Sequence, residues 1–194
     1  MADTVLTLKQ IEDFFQELTC NILGIPLLDN TDPENPVPIN QDKVRIAWPT
    51  TGAPAWKITE DITFLQITPV NDPYMQQRHT EHVNTGAGNI NQLIQYTRVH
   101  EVQWICYGPN SYEHAETIRN GIYLTEFKDL LGAQNLHLIL DVPAVKRSPE
   151  LYNGQWWQRA NLSARFNELV IRTTSVPYLV GTDIKVITEK GVVN

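Results

Sequence analysis

The densest group of titratable side chains lies between residues 79 and 82. His79, Glu81 and His82 combine two imidazoles with one carboxylate, and Zn²⁺ accepts both kinds of ligand. However, the order differs from the His-Glu-x-x-His motif of zinc hydrolases, and no second cluster along the chain supplies further ligands. The sequence therefore favours a solvated loop without a metal. A metal-dependent enzyme that uses these three residues is the alternative hypothesis.

The nucleophilic side chains lack the surroundings that catalysis requires. Cys20 and Cys106 are the two cysteines; neither belongs to a Cys-x-x-Cys motif or has a base beside it in sequence. Ser111 and Ser163 lack the Gly-x-Ser-x-Gly elbow. We expect two buried thiols in a reducing compartment, with a disulfide between them as the less favoured alternative. We expect no cofactor and no enzymatic activity.

Aromatic and basic residues are concentrated near position 157. Trp156 and Trp157 are adjacent in an extended segment, so one is expected on each side of a sheet. In one interpretation, one indole belongs to the core and the other covers a helix. In the alternative, the outward indole anchors a contact between subunits, and Arg159 and Arg165 pair with acidic groups of the neighbour.

Two long extended segments must position these residues. The first covers residues 95–107 and the second residues 155–174, and both exceed the usual strand length. The second segment alternates strictly between an apolar set and a polar set, namely Ala160, Leu162, Ala164 and Phe166 against Arg159, Asn161, Ser163 and Arg165. This pattern predicts a sheet with one dry face and one broad polar face that is suited to contacting protein.

The other predicted elements surround these strands. They are a helix that begins with a capping box at Thr7 and ends at Gly24, a hairpin of residues 43–48 and 62–68, a helix after a second capping box formed by Asn110 and Glu113, a short helix over residues 126–131, and a strand over residues 136–140. Together they predict one α+β domain over residues 1–194, with a mostly antiparallel sheet and helices on one face.

Three segments show no regular periodicity. Residues 25–40 contain a proline-rich loop, residues 70–91 form an irregular excursion from the sheet, and residues 175–194 form a tail. Within the tail, residues 184–187 are expected either to add an edge strand or to swap onto a neighbour. We expect the 70–91 excursion to contact a partner chain.

The overall composition narrows the function classes. The chain has 194 residues, 42% of them hydrophobic, and a formal net charge of −7. A globular chain with this charge is not expected to bind a nucleic-acid backbone nonspecifically. No segment has the length of apolar residues that spans a bilayer, and Met1-Ala2-Asp3-Thr4 is unlike the start of a signal peptide. We therefore expect no membrane contact and assembly in the cytoplasm.

Three motifs between residues 40 and 175 resemble bacteriophage neck or tail-terminator proteins. They are Trp48-Pro49-Thr50-x-Gly52-x-Pro54-x-Trp56, then Tyr107-Gly108-Pro109-Asn110-Ser111 with Ala115-x-x-Ile118-Arg119-x-Gly121, and finally Pro149-Glu150-Leu151-x-Asn153-Gly154-Gln155-Trp156-Trp157-x-Arg159 leading to Ala164-Arg165-Phe166-Asn167-Glu168.

The resemblance implies a virion structural protein without catalytic residues. In that family, six copies form a ring on the last ring of the tail tube, stop its growth, hold the sheath in contractile tails and dock the neck or connector. Genomic DNA would pass through the bore without specific binding, as an acidic balance suits. We expect the contacts to involve residues 70–91, including His79, Glu81 and His82, and the strand face bearing Arg159 and Arg165. A head-completion adaptor is the alternative within the same structural class.

Overall fold

The computed structural model describes residues 3–29, 37–40, 42–47, 56–84, 89–177, 186–188 and 191–193. In chain order their elements are α1 (Leu8–Leu23), β1 (Leu28–Asp29), β2 (Val37–Pro38), β3 (Val44–Ile46), β4 (Ile62–Val70), a 3-10 turn (Pro73–Gln76), β5 (His79–Asn84), β6 (Asn89–Tyr107), α2 (Ser111–Gly121), α3 (Thr125–Ala133), β7 (Leu136–Leu138), β8 (Lys146–Arg147), β9 (Glu150–Tyr152), β10 (Gln155–Trp157), β11 (Arg159–Pro177), β12 (Val186–Thr188) and β13 (Gly191–Val193). These elements form the predicted α+β fold. Among the described residues, none of the helices has the length and apolarity needed to cross a bilayer.

The two long strands form the centre of the main sheet, as predicted. Within the described residues its strand order is β3-β4-β6-β11-β7, with β5 also pairing with β6 and β8 with β11. Strands β6 and β11 are antiparallel over their whole length, from Asn89 opposite Pro177 to Tyr107 opposite Arg159. Every other strand of this sheet is positioned directly or indirectly by this pair.

One face of the sheet packs against the helices and forms the core. On β6 and β11 its buried side chains include Trp104 and Phe166, which contact Phe15 of α1 with ring centroids 6.4 and 4.7 Å away. The Trp104 Nε1–H donates to Thr19 Oγ1 at 2.9 Å, so the large indole is buried without losing its hydrogen bond. Cys20 and Cys106 are free and buried, as predicted, and burial raises the pKa of each thiol to about 11.

The predicted start and end of the first helix are confirmed. The Thr7 side chain accepts from the Gln10 N–H, and the Gln10 side chain accepts from the Thr7 N–H at 2.8 Å, which completes the capping box. Gly24 ends α1 in the left-handed conformation, with φ of 66°.

The hairpin predicted for residues 43–48 and 62–68 is wrong, because β3 and β4 are parallel. Val44 lies opposite Thr63 and Ile46 opposite Leu65. Parallel neighbours need a connection longer than a tight turn, and residues 47–61 supply it. The proline and glycine turn that suggested a hairpin, at Trp48 to Pro54, lies outside the described residues.

The capping box predicted at Asn110 and Glu113 is also wrong. No side chain caps α2; instead, the Asn110 N–H and Nδ2 donate to the two carboxylate oxygens of Asp61, at 2.9 and 2.8 Å. Gly108 lies so close to this pair that an added Cβ would be 2.5 Å from Asp61 Oδ1. Asn110 therefore does not cap the helix; its hydrogen bonds to Asp61 connect the turn after β6 to the residue before β4.

A buried ionic cluster attaches the N-terminal segment to the long strands. Glu168 is 1% exposed, and its carboxylate accepts from Arg98 Nε and Nη2 at 2.8 and 2.7 Å and from the Leu6 N–H at 3.1 Å. His100 Nε2 lies 2.8 Å from Glu168 Oε2, and Arg98 also donates to the Leu6 carbonyl at 2.7 Å. The cluster thus joins β6, β11 and the chain before α1.

The ionised carboxylate of Glu168 should make the free energy of unfolding depend on pH in the acidic range. Burial alone raises the pKa of this carboxyl, but hydrogen bonds with His100, Arg98 and Leu6 outweigh it and lower the pKa from 4.5 to about 2. A carboxyl with a depressed folded-state pKa stabilises fully above pH 4.5 and loses this contribution as the pH falls towards 2. The contribution at neutral pH is about 3 kcal/mol.

We therefore expect Glu168→Gln to lower the free energy of unfolding by about 3 kcal/mol at pH 7. The variant should also lose most of the decrease that the wild type shows between pH 4.5 and pH 2. Urea unfolding followed by tryptophan fluorescence at several pH values measures both effects. Asp129→Asn, at an exposed position of α3, is the matched control. An unchanged pH profile in Glu168→Gln would contradict the assignment.

Candidate assembly surface

The face of the sheet opposite the helices is open and polar. Residues 159–167 of β11 alternate between half-exposed and buried side chains, which confirms the predicted polar and apolar faces. The open face carries Arg159, Ser163 and Arg165 from β11, and Gln103 and Glu101 of β6 lie opposite the last two. This open face is a broad surface of neutral and charged polar groups.

Both predicted interface arginines already have acidic partners within the chain. Arg165 Nη2 donates to Asp141 Oδ2 at 2.9 Å. Arg159 Nη1 donates to Glu150 Oε2 at 3.1 Å, and its guanidinium carbon lies 5.6 Å from the centre of the Tyr107 ring. Their pairing with a neighbouring subunit stays a prediction.

The second long strand is interrupted at Gln158, which the sequence did not predict. Residues 155–157 form β10, which pairs with β9 in a separate hairpin with Gln155 opposite Tyr152. The two-residue turn is Asn153-Gly154, with φ of 50° and 75°, the left-handed values that Asn-Gly adopts in tight hairpins. The Asn-Gly dipeptide was the sequence signal that could have identified this hairpin.

The hairpin places the two tryptophans in different environments. Trp157 is half-buried, with its ring 5.9 Å from Trp56 and 6.2 Å from Tyr152 in edge-to-face geometry. Trp156 is 63% exposed. The contacts of Trp157 are therefore with aromatic side chains outside the helices, and Trp156 is the outward indole that the sequence analysis considered for a subunit contact.

Trp157 is one wall of an aromatic cleft of about 450 Å³, lined by Trp56, Tyr107, Glu150, Tyr152 and Trp157. Glu150 Oε2 accepts from the Tyr107 hydroxyl at 2.9 Å, besides its bond from Arg159. Burial, followed by this hydrogen bond to a carboxylate, raises the pKa of Tyr107.

Two donors in the aromatic cleft are unsatisfied. The Nε1 atoms of Trp56 and Trp157 are buried and have no hydrogen-bond partner among the described residues. A buried donor without an acceptor costs about 1–3 kcal/mol, so such groups require an explanation. Sequence reasoning missed this cleft, because its walls come from segments far apart in the chain.

The excursion predicted for residues 70–91 is wrong in one respect, because much of it is regular. After the 3-10 turn, β5 pairs with β6 from His79 opposite Gln95 to Asn84 opposite Ile90. We call β5, together with residues 89–95 of β6 and 171–177 of β11, the arm. Every residue of β5 is exposed. Because both faces of β5 are exposed to solvent, its sequence does not alternate between apolar and polar residues, and this alternation is what predicts a strand.

The arm does not gather its titratable residues into a site. His79 and Glu81 share one face of β5, and His82 lies on the other, because neighbouring positions of a strand alternate. Among the described residues, no group of three or more histidine, cysteine, aspartate or glutamate side chains could hold a metal ion.

A comparison with protein-family models matches residues 9–192 to the family described as phage neck terminator protein. The match covers nearly the whole chain and confirms the resemblance inferred from the motifs. A search of curated proteins found no match.

The two neighbouring tryptophans should differ in their effect on stability. Trp157→Ala removes the ring contacts with Trp56 and Tyr152 and should lower the free energy of unfolding by about 2 kcal/mol. Trp156→Ala, at the exposed position, should stay within about 0.5 kcal/mol of the wild type. Urea denaturation of both variants measures the difference. A loss within about 0.5 kcal/mol in Trp157→Ala would show that the packing of this ring contributes little.

Proposed function

The chain belongs to the phage neck terminator protein family, and we propose that six copies of it form a ring that caps the tail tube. The ring would stop tube growth, dock the neck or connector and, in a contractile tail, hold the end of the sheath. The observation that carries this proposal is the family match over residues 9–192. The protein would accordingly be part of the virion, acting through its surfaces rather than through catalysis.

The geometry supports a ring-forming subunit. A ring closes through heterologous contacts, in which one patch of a subunit meets a different patch of the next. This chain offers separate patches of different character: the exposed arm, the open polar face, and the hairpin bearing the exposed Trp156. Exposed aromatic side chains provide much of the binding energy at interfaces.

The charge balance supports a bore through which DNA passes. Twenty-two acidic residues exceed fifteen basic ones, giving the formal charge of −7. A surface without excess positive charge does not release counterions from DNA and so does not retain it. In this proposal the ring contacts DNA only in passing.

The defining experiment measures mass in solution and assembly on tubes. Light scattering of the purified chain, with negative-stain images, should show a ring of about six subunits, either alone or after addition of purified tail tubes. The chain should also co-sediment with tubes. Co-sedimentation with tail-less heads instead of tubes would overturn the proposal in favour of a head-completion adaptor. A chain that remains monomeric with tubes and binds Zn²⁺ stoichiometrically would overturn it in favour of an enzyme.

The arm should contribute to assembly but not to folding. In the triple variant His79→Ala, Glu81→Ala and His82→Ala, the free energy of unfolding should change by less than about 1 kcal/mol, because these side chains are exposed. Ring formation should require at least tenfold more protein. Light scattering across a concentration series measures this shift.

The control is Leu8→Ala, the truncation of an exposed side chain on α1, in the helix layer. It should leave the concentration dependence unchanged. If the triple variant assembles like the wild type, these three residues do not belong to the contact.

A further inference from the structure

The aromatic cleft has the chemistry of a site for a proline-bearing segment. Its walls are flat rings, with Trp56 5.7 Å from Tyr107 and 5.9 Å from Trp157. Proline-rich segments dock in aromatic-lined grooves and have no internal hydrogen bonds, so their carbonyl groups remain available as acceptors. The Nε1–H groups of Trp56 and Trp157, which are buried and without a partner among the described residues, are donors that a bound carbonyl could reach only if the indoles reorient.

The chain itself carries a segment of this kind, which runs from the connection after β1 into β2. The sequence there is Asp32-Pro33-Glu34-Asn35-Pro36-Val37-Pro38. Each proline fixes its own φ near −65° and favours an extended conformation in the residue before it, which lowers the entropic cost of binding as an extended strand.

The strands β1 and β2, which flank this segment, pair with each other. Leu28 lies opposite Pro38 and Asp29 opposite Val37, and the Ile39 N–H donates to the Leu27 carbonyl at 2.8 Å. In the sequence, residues 30–36 form the connection between these two strands. We call this connection the proline tip.

The charges of the two surfaces do not oppose a contact between them. The proline tip contains Asp32 and Glu34 and no basic residue. Beside the aromatic cleft, the guanidinium carbon of Arg45, a side chain only 8% exposed, lies 5.8 Å from the Trp56 ring, and that of Arg159 lies 5.6 Å from the Tyr107 ring. The lining carboxylate, Glu150, is already paired with Arg159. An acidic segment can therefore approach the aromatic walls without meeting an unpaired carboxylate in the lining.

We propose that the aromatic cleft of one copy binds the proline tip of the next copy in the ring. The tip and the cleft are two different patches of one chain, as a heterologous contact requires. The inference rests on the ring proposed above, but the contact itself can be tested without a ring.

The first test uses a synthetic peptide of residues 28–39 and the full chain with ¹⁵N-labelled tryptophan. Adding peptide should shift the indole N–H signals of Trp56 and Trp157 saturably. These signals are assigned by their disappearance in Trp56→Phe and Trp157→Phe, which keep an aromatic ring but lose the donor. Trp157→Phe should bind the peptide at least tenfold more weakly.

The matched control peptide carries Pro33→Ala and Pro36→Ala and should also bind at least tenfold more weakly. Absence of a shift at millimolar peptide, or equal binding of both peptides, would overturn the inference. A ring that forms normally while the peptide fails to bind would leave the proposed function intact. Peptide binding by a chain that never forms rings would support the contact and contradict the ring.

The second test distinguishes binding between copies from binding within one copy. One chain carries Tyr152→Ala, which removes a cleft wall at a position 66% exposed and so spares the core. The other carries Pro33→Ala and Pro36→Ala. Each alone should be monomeric, whereas their mixture should form a dimer through the one intact tip and the one intact cleft. A mixture that stays monomeric would overturn the assignment of the tip to a neighbouring copy.

Discussion

The antiparallel pairing of β6 with β11 is the constraint on which the rest of the structure depends. Its register fixes which side chains face the helices, since a shift by one residue would exchange the buried and open faces. In the observed register Trp104 and Phe166 enter the core, while Gln103 and Arg165 face outward. The same ladder continues beyond the helices to Asn89 and Pro177 and so supports the arm. Core, open face and arm are thus consequences of one pairing.

Polar groups specify how other segments attach to this ladder. Glu168 holds the N-terminal segment through Arg98, His100 and the backbone of Leu6, and Asp61 holds the turn after β6 through Asn110. Breaking a buried ionic cluster leaves an uncompensated charge, so this arrangement penalises alternative positions of the N-terminal segment. These contacts join residues distant in sequence, and their role is to fix geometry rather than to perform chemistry.

The elements that could be predicted from the sequence are those with one buried face and one solvent-exposed face. The alternation from Arg159 to Phe166 and the helical spacing after Thr7 carried enough information for the fold class. The sequence analysis did not predict the strand β5, because side chains on both of its faces are exposed to solvent. It predicted the wrong direction for β3, because turn residues do not encode whether the next strand runs parallel or antiparallel. The sequence analysis missed the aromatic cleft for a third reason. Its walls meet only after β4, β6 and the β9–β10 hairpin have been placed by the sheet.

In the assembly that we propose, the aromatic side chains are better suited to subunit contacts than the arginines beside them. Arg159 and Arg165 donate hydrogen bonds to Glu150 and Asp141 of the same chain. Exchanging these partners for acidic groups of a neighbouring subunit would gain little binding free energy, because exposed ion pairs are weak. Trp156, by contrast, is 63% exposed, and burying aromatic surface gains free energy that an exchange of ion-pair partners does not. The aromatic side chains, rather than the arginines beside them, are therefore the groups through which this surface would hold a neighbouring subunit.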